Sequence, residues 1–263
     1  MVCDVGQGEA VLIRAGPRAA VVVDTGPDPA AMSRCLAGAG VVIVPLLILT
    51  HFHADHFGGF EAVLGGTAVA QVWHGPQPSP VANAAAVSTA LDRAGVPARA
   101  AWTGDTFVSG DVSVEVLWPY RVLDPVGAAG GDGTAINDAS LAMRLQLPGL
   151  SLLCLGDLEV ASQEQLLDRT RPAALDADVS TVAHHGSGVQ VPALYQAVSP
   201  RLAVASAAAD NEYGHPNPLT MAMVSATGSR VVSTATSGWV SMRVDGSGIE
   251  VSTARGAAAG VAS

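Results

Sequence analysis

The chain has 263 residues, of which 49% are hydrophobic and 14% charged; that is long enough to bury a full core as one domain and too apolar for a disordered protein. Its net charge of -10, with thirteen basic residues that are all arginine, argues against a protein that grips nucleic acid on a broad basic face, since such binding draws its affinity from neutralised phosphates. A nucleic-acid substrate stays open, because bound divalent ions would set the local field.

In chain order, "AVLIRAG" and "AAVVVDTG" are β-rich runs between glycine turns and predict an opening hairpin. "PAAMSRCLAGAG" follows with proline at its start and glycine past its end, the asymmetry of a helix. "VVIVPLLILT" is a continuous apolar run, expected as a strand covered on both faces. The same alternation gives a helix over "FGGFEAVLGG", a strand over "AVAQVWHG", a helix over "PVANAAAVSTALDRAG" and a strand pair over "ARAAWTGDTFVSGDVSVEVLWP". "DPVGAAGGDGTAIND", dense in Gly and Asp, is expected as a mobile loop. A hairpin over "SLAMRLQLPGLSLLCLGD" comes next, then the helix "VASQEQLLDRT", strand "ADVSTVAHHG", helix "PALYQAVS", strand "RLAVASAA", helix "PLTMAMVSAT" and strands "RVVSTAT" and "WVSMRVD". Two β-rich halves interleaved with helices predict an α/β fold of two sheets packed face to face with helices outside. One domain is expected over residues 1–250, with 251–263 as a disordered tail.

Cysteines 3, 35 and 154 are odd in number and apolar in context, so they read as small buried residues and not as a disulfide framework. Met1 is followed at once by "VCDVGQGEA", without a basic stretch and apolar core, so no signal peptide is expected. The longest apolar run carries a proline and falls short of the ~20 residues of a membrane span.

The chemistry concentrates in "THFHADH", directly after an apolar strand. His51, His53, Asp55 and His56 therefore sit in a loop at the carboxyl edge of a sheet. Imidazoles and carboxylates suit zinc, manganese or iron, and four such groups in six positions exceed what one ion needs from one loop. Two adjacent ions would use them better. Scattered histidines are usually structural, but a His-x-His-x-Asp-His string after a buried strand is a specific pattern.

"THFHADHFGG" resembles the signature of the metallo-β-lactamase fold superfamily, four-layer αβ/βα sandwiches with a one- or two-metal site between the sheet edges. "CDVGQGEAVLI", "VVVDTG", "NDASLAMRL", "LCLGDLE", "VAHHGS" and "DNEYGHPNP" resemble, in that order, the motifs of the hydrolase domain of ComEC competence proteins, membrane channels for DNA uptake. The resemblance implies that His51 and His53 hold one metal and Asp55 and His56 the second, with Asp157 bridging both. A turn or helix N-cap role for Asp157 is the plain alternative. His184 or His185 would complete the second metal, the other contacting substrate or orienting a ligand; both stay candidates, because the strand end is uncertain by a residue or two. Many superfamily members carry a further histidine before the bridging aspartate. His74, the one histidine in that interval, lies too early in the fold and reads as structural. ComEC-type domains carry Asn in the corresponding "INDAS", so Asn137 or Asp138 would approach the first metal, and the oxygen-richer site would favour manganese over zinc. His215 matches a family histidine and is assigned to phosphate contact or proton donation to the leaving group. Asp4, Gln7, Glu9 and Asp24 are candidates to orient ligands or line the substrate edge, Glu9 standing where the family usually has Asp. Ser187 is a further candidate substrate contact.

With two divalent ions, Zn²⁺ or Mn²⁺, the expected activity is water attack on a phosphodiester, with Asp55 orienting the water and DNA as substrate. Hydrolysis of another ester, thioester or lactam on the same scaffold is the second possibility. A silent DNA-handling module attached to a transporter is the third. The resemblance implies a membrane channel domain as partner and a place on the extracytoplasmic face; a free-standing chain without an export signal would be cytoplasmic.

Overall fold

The computed structural model describes residues 1–120, 133–245 and 248–262. β1 (Val11–Gly16) and β2 (Ala19–Val23) form the opening hairpin, with Val11 opposite Val23. α1 (Pro29–Ala39) starts where the Asp28 side chain accepts from Ala30 N, and it stops at Gly40 in the left-handed region, the C-cap geometry that glycine adopts without strain. The run expected as one strand is broken at Pro45 into β3 (Ile43–Val44) and β4 (Leu47–Leu49), because proline cannot donate to a ladder. The next expected helix, over 57–66, begins at α3 (Phe60–Gly66), and a single turn, α2 (Ala54–Phe57), precedes it within the His-rich segment expected as a loop. β5 (Ala68–Val69), β6 (Val72–His74), α4 (Val81–Ala94) and β7 (Ala98–Ala100) complete the first half.

The second half opens with the pair β8 (Thr106–Ser109) and β9 (Val112–Trp118). Of the segment expected as a mobile loop, 124–132 lies outside the described residues, while Gly133–Asp138 is helix α5. The hairpin of β10 (Ala142–Leu147) and β11 (Leu150–Cys154) follows, then α6 (Val160–Arg169), α7 (Pro172–Leu175), β12 (Val179–Thr181) and a single 3₁₀ turn at His184–Gly186. α8 (Pro192–Val198), β13 (Leu202–Ala205), α9 (Pro218–Ser225), β14 (Arg230–Ser233) and α10 (Thr234–Ser237) lead to the last strands, β15 (Val240–Asp245), β16 (Gly248–Thr253) and β17 (Gly256–Ala262). Of the segment expected as a disordered tail, 251–263, the described part ends β16 and forms β17, with Val251 opposite Ala259. A ladder bonds through the backbone and needs no distinctive side chains, so an Ala- and Gly-rich strand can take the edge that β16 offers.

Two sheets result, as the chain pattern requires. In the first, β2 runs parallel to β3 at its start and β4 at its end, flanked by β5, β6 and β7. β15 to β17 join it through bridges from Val2 to both Val11 and Val240. The second sheet has the order β14-β13-β12-β11-β10-β9-β8, parallel from β11 to β14. Side chains alternate along each strand. Val21, Val23 and Ile48 therefore meet Val114, Met143 and Val204 between the sheets. The opposite face, through Val22, Leu47 and Leu49, packs on Met32, Leu36 and Leu91 of the helices, and Leu153 and Ala203 pack on Leu166, Leu194 and Val224. The four layers are those of an αβ/βα sandwich. One further correction concerns the cysteines: Cys3 and Cys35 are joined in a disulfide, tying the N-terminus to α1, and Cys154 alone is a free buried thiol. Apolar context signalled burial correctly but could not show that two such residues would meet.

Candidate metal centre

The parallel strands carry their carboxyl ends to one edge of the sandwich, where open α/β sheets place their chemistry. β2 ends at Asp24, β4 at the 51–56 loop, β11 at Asp157, β12 at the paired histidines and β13 at Ser206. Two turns hold the 51–56 loop from behind. Glu9 N donates to Asp55 O and Thr25 N to His56 O, at 3.2 and 2.7 Å. At Gly8, with φ 147°, an added Cβ would run into the Asp55 carbonyl oxygen, so glycine there is what lets the two segments touch.

Asp55, His56, Asp157 and His185 each offer a ligand atom, all within 4.8 Å of one another. His56 Nε2 lies 3.1 Å from Asp157 Oδ1 and 3.2 Å from His185 Nε2. His185 Nε2 is in turn 3.3 Å from Asp55 Oδ2 and 3.5 Å from Asp157 Oδ1. On the other Asp157 oxygen, His51 Nε2 and His184 Nε2 stand at 4.0 and 3.8 Å. His53 packs edge-on to His51, with ring centroids 4.7 Å apart. The chain thus brings its ligand candidates to both sides of one carboxylate.

His51, His56, His184 and His185 are oriented from behind, as metal-ligating histidines are. His56 Nδ1 meets Asp24 Oδ2 at 2.7 Å, and His185 Nδ1 donates to Ser206 O at 3.0 Å. His51 Nδ1 faces the hydroxyls of Thr50 and Ser140, both at 3.1 Å. Thr50 Oγ1 itself donates to Asp24 Oδ2 at 2.7 Å, so Asp24 anchors two histidines at once. His184 Nδ1 lies 3.0 Å from Glu159 Oε1. In every case Nε2 is left for the centre. His51 Nε2 and Asp157 Oδ1 are buried without a hydrogen-bond partner among the described residues; a buried polar atom in that condition is costly unless something binds it, and an oxygen and nitrogen donor set of this kind fits a divalent cation.

The electrostatics agree. Burial would lower His56, but Asp157, Asp24 and Asp55 lift it well above the usual histidine range. Burial acts likewise on His185, yet Asp157 and Asp55 raise it to about 10. Burial would raise Asp157, whereas His185 and His56 hold it well below the carboxylate range. Glu9, 3% exposed, has no ion-pair partner among the described residues, and burial and Asp24 push it up to about 7.

The ambiguity between the paired histidines resolves geometrically. His184, His185 and Gly186 take φ of 49°, 56° and 79°, three successive left-handed residues, so strand alternation does not apply. Both rings turn inward, His185 to the Asp55 side and His184 to the other oxygen. Such backbone is strained for non-glycine residues and concentrates at functional sites. His215 stands over the pair, its ring 5.3 Å from His184 and 6.4 Å from His185. Gln7 Oε1 accepts from Ala208 N at 3.2 Å and its amide nitrogen lies 3.5 Å from His215 Nδ1, an arrangement that leaves the ring proton on Nε2.

Three expected site residues point elsewhere. Asp138 accepts from Ser162 Oγ at 2.6 Å and receives Trp118 Nε1 on its carbonyl at 2.7 Å; it ties α5 to α6, and the buried Asn137, whose side chain acts on His53, is the one facing the centre. Asp4 lies 3.8 Å from Arg255 on the surface. Ser187 is buried, its hydroxyl taken up by Gln190 Nε2 at 3.2 Å. His74 Nδ1 donates to its neighbour's carbonyl, Gly75 O, at 2.8 Å, consistent with a structural role. Sequence reasoning missed Thr50, Ser140 and Glu159 as orienting groups, because their signal is only adjacency to a ligand in sequence or space.

A buried set of imidazoles and carboxylates at the carboxyl edges of two packed sheets is the construction of a metal-dependent hydrolase. Comparison with known proteins gives the family: residues 3–190 match the metallo-beta-lactamase superfamily, and the chain belongs to it. It is 32% identical over 243 residues to Competence protein ComA of Neisseria gonorrhoeae, covering 90% of this chain and 31% of that one. It is 26% identical over 260 residues to ComE operon protein 3 of Bacillus subtilis, covering 91% and 32%. The chain thus spans about a third of the length of these relatives. Among solved structures, Zn(2+)-bound PqqB from Methylobacterium extorquens superposes with a TM-score of 0.53 at 14% identity, over 86% of this chain and 85% of that one, a likeness of fold. No helix among the described residues is long and apolar enough to cross a membrane.

Proposed function

We propose that the chain is a two-metal phosphodiesterase that cleaves the DNA backbone in competence-type uptake. The observation that carries it is the single carboxylate of Asp157 standing between two ligand sets, Asp55, His56 and His185 on one oxygen and His51 and His184 on the other. His53 and Asn137 belong to the second of these. Divalent ions bound there supply Lewis acidity for the scissile phosphate and the attacking water. Asp55, a third exposed at the mouth, orients that water. His215, with its Nε2 proton directed by Gln7, donates to the leaving oxygen. The Asn137 oxygen in that second set, where many superfamily members carry a histidine, favours manganese over zinc. One relative is named a competence protein, and the ComEC-type motifs imply DNA as the substrate and a membrane channel as the parent context. The Cys3–Cys35 disulfide supports an extracytoplasmic place, since disulfides persist in oxidising compartments.

The test is metal analysis of the purified chain together with DNA cleavage under Mn²⁺, Mg²⁺ and Zn²⁺. Asp157→Asn and His51→Ala should each lose bound metal and lower the rate by at least ~100-fold while keeping the fold. Full cleavage by both variants would sink the proposal.

A further inference from the structure

Tyr213 is one of the few large aromatic side chains on the surface, 73% exposed, and its position is not accidental to the site. Its ring stacks on His215 with centroids 5.8 Å apart and planes 30° from parallel. The loop that carries both is fixed by one side chain. Asn211 Oδ1 accepts from Tyr213 N at 3.1 Å and from His215 N at 3.0 Å, while its Nδ2 donates to Ala208 O and His215 O at 2.8 and 2.5 Å. His215 in turn leans on His184 and His185. The outcome is a run of ring contacts from the candidate ligands outward, edge-on between His184 and His215 and stacked between His215 and Tyr213, ending in an exposed aromatic ring.

A lone exposed tyrosine needs no explanation, but one backed by a ring and held by a pre-bonded loop has already lost the freedom a ligand would otherwise have to remove. The loop offers no positive charge, for Asp210 and Glu212 on it are both exposed. A polyanion gains nothing there from phosphate neutralisation. An aromatic face does attract a nucleobase without charge, because every base has a π-face, at ~1–3 kcal/mol per stacked base. A base within a duplex has no face to offer. Immediately beyond the loop, Pro216 borders a groove of about 570 Å³ that also carries Arg230 and Arg255, a path for the adjoining backbone.

We infer that Tyr213 is a base-stacking platform, so that the site recognises an unpaired nucleobase next to the scissile phosphate and selects single-stranded over duplex nucleic acid. This rests on the phosphodiesterase reading for its substrate class. The experiment measures binding apart from cleavage, by fluorescence anisotropy under Mn²⁺ with a short phosphorothioate-linked oligothymidylate and an abasic oligomer of the same length. Wild type should prefer the base-bearing oligomer, and Tyr213→Ala should weaken that binding on the order of 10- to 100-fold while leaving the abasic oligomer unaffected. Tyr213→Phe and Tyr213→Trp should restore the preference, and the tryptophan should be quenched on binding. Equal affinity of wild type for the two oligomers, or of wild type and Tyr213→Ala for oligothymidylate, would overturn the inference. A natural oligonucleotide that binds with this pattern but is never cut would instead overturn the phosphodiesterase reading and leave the platform standing.

Discussion

Glu9 shows what a single buried group costs. Its carboxyl sits within 4.8 Å of ligand atoms on Asp24 and His56, and its Oε1 has no hydrogen-bond partner among the described residues. Burial, then Asp24, raises its pKa from the ordinary 4.5 to about 7. A carboxyl raised in the folded state binds its proton more tightly there than when unfolded, so it costs nothing below pH 4.5. The cost grows as pH rises and is complete above about 7. Glu9→Gln should therefore stabilise the metal-free protein above that pH by up to ~3 kcal/mol and change little in acid. Urea denaturation in chelator at both pH values checks this, and a gain of the same size in acid would refute it. Asp24 is the contrasting case at the same scale. It too is fully buried, but it accepts from Thr50 N and Thr50 Oγ1 and meets His56, all at 2.7 Å, so its charge is used to aim two imidazoles.

At the scale of elements, what was legible followed from local rules. The His-x-His-x-Asp-His string, the Pro-to-Gly frame of α1 and the Gly8 turn announce themselves because each depends on neighbours in sequence. Pro45 broke an expected strand for a reason present in the residue itself. The assignment of His184 and His185 was not legible, since it depends on three left-handed residues that no alternation pattern encodes. Nor was the role of Asp138, whose carboxylate is captured by Ser162 across 24 residues. The disulfide was missed for the same reason of distance: 32 residues separate Cys3 from Cys35. Closing a loop of that length limits the unfolded chain and should contribute ~3–4 kcal/mol on the loop-entropy account. Cys3→Ser/Cys35→Ser should lose that much in chemical denaturation relative to the oxidised protein, and unchanged midpoints would mean that the bond constrains nothing.

For the whole molecule, the centre is the place where the two halves of the chain are joined by chemistry as well as by packing. His51 to His56 follow β4 of the first sheet, and Asp157, His184 and His185 follow β11 and β12 of the second. An ion held by both binds the folded chain and not the unfolded one, so it stabilises by mass action, about 2.7 kcal/mol at a hundredfold excess over its dissociation constant. That gain must depend on pH, because the ion competes with protons on the same imidazoles. His185 is raised from 6.5 to about 10. Its pairing with Asp157 and Asp55 therefore contributes full stability to the metal-free protein below pH 6.5, which is lost as pH rises towards about 10. The ion takes over as that contribution fades. Thermal unfolding under fixed Mn²⁺ should accordingly show a shift relative to chelator that widens from about pH 6 to pH 8, and Asp157→Asn should abolish the shift at both ends. A shift that narrowed with rising pH, or one that survived in Asp157→Asn, would mean that the ion sits somewhere other than between these two sheets.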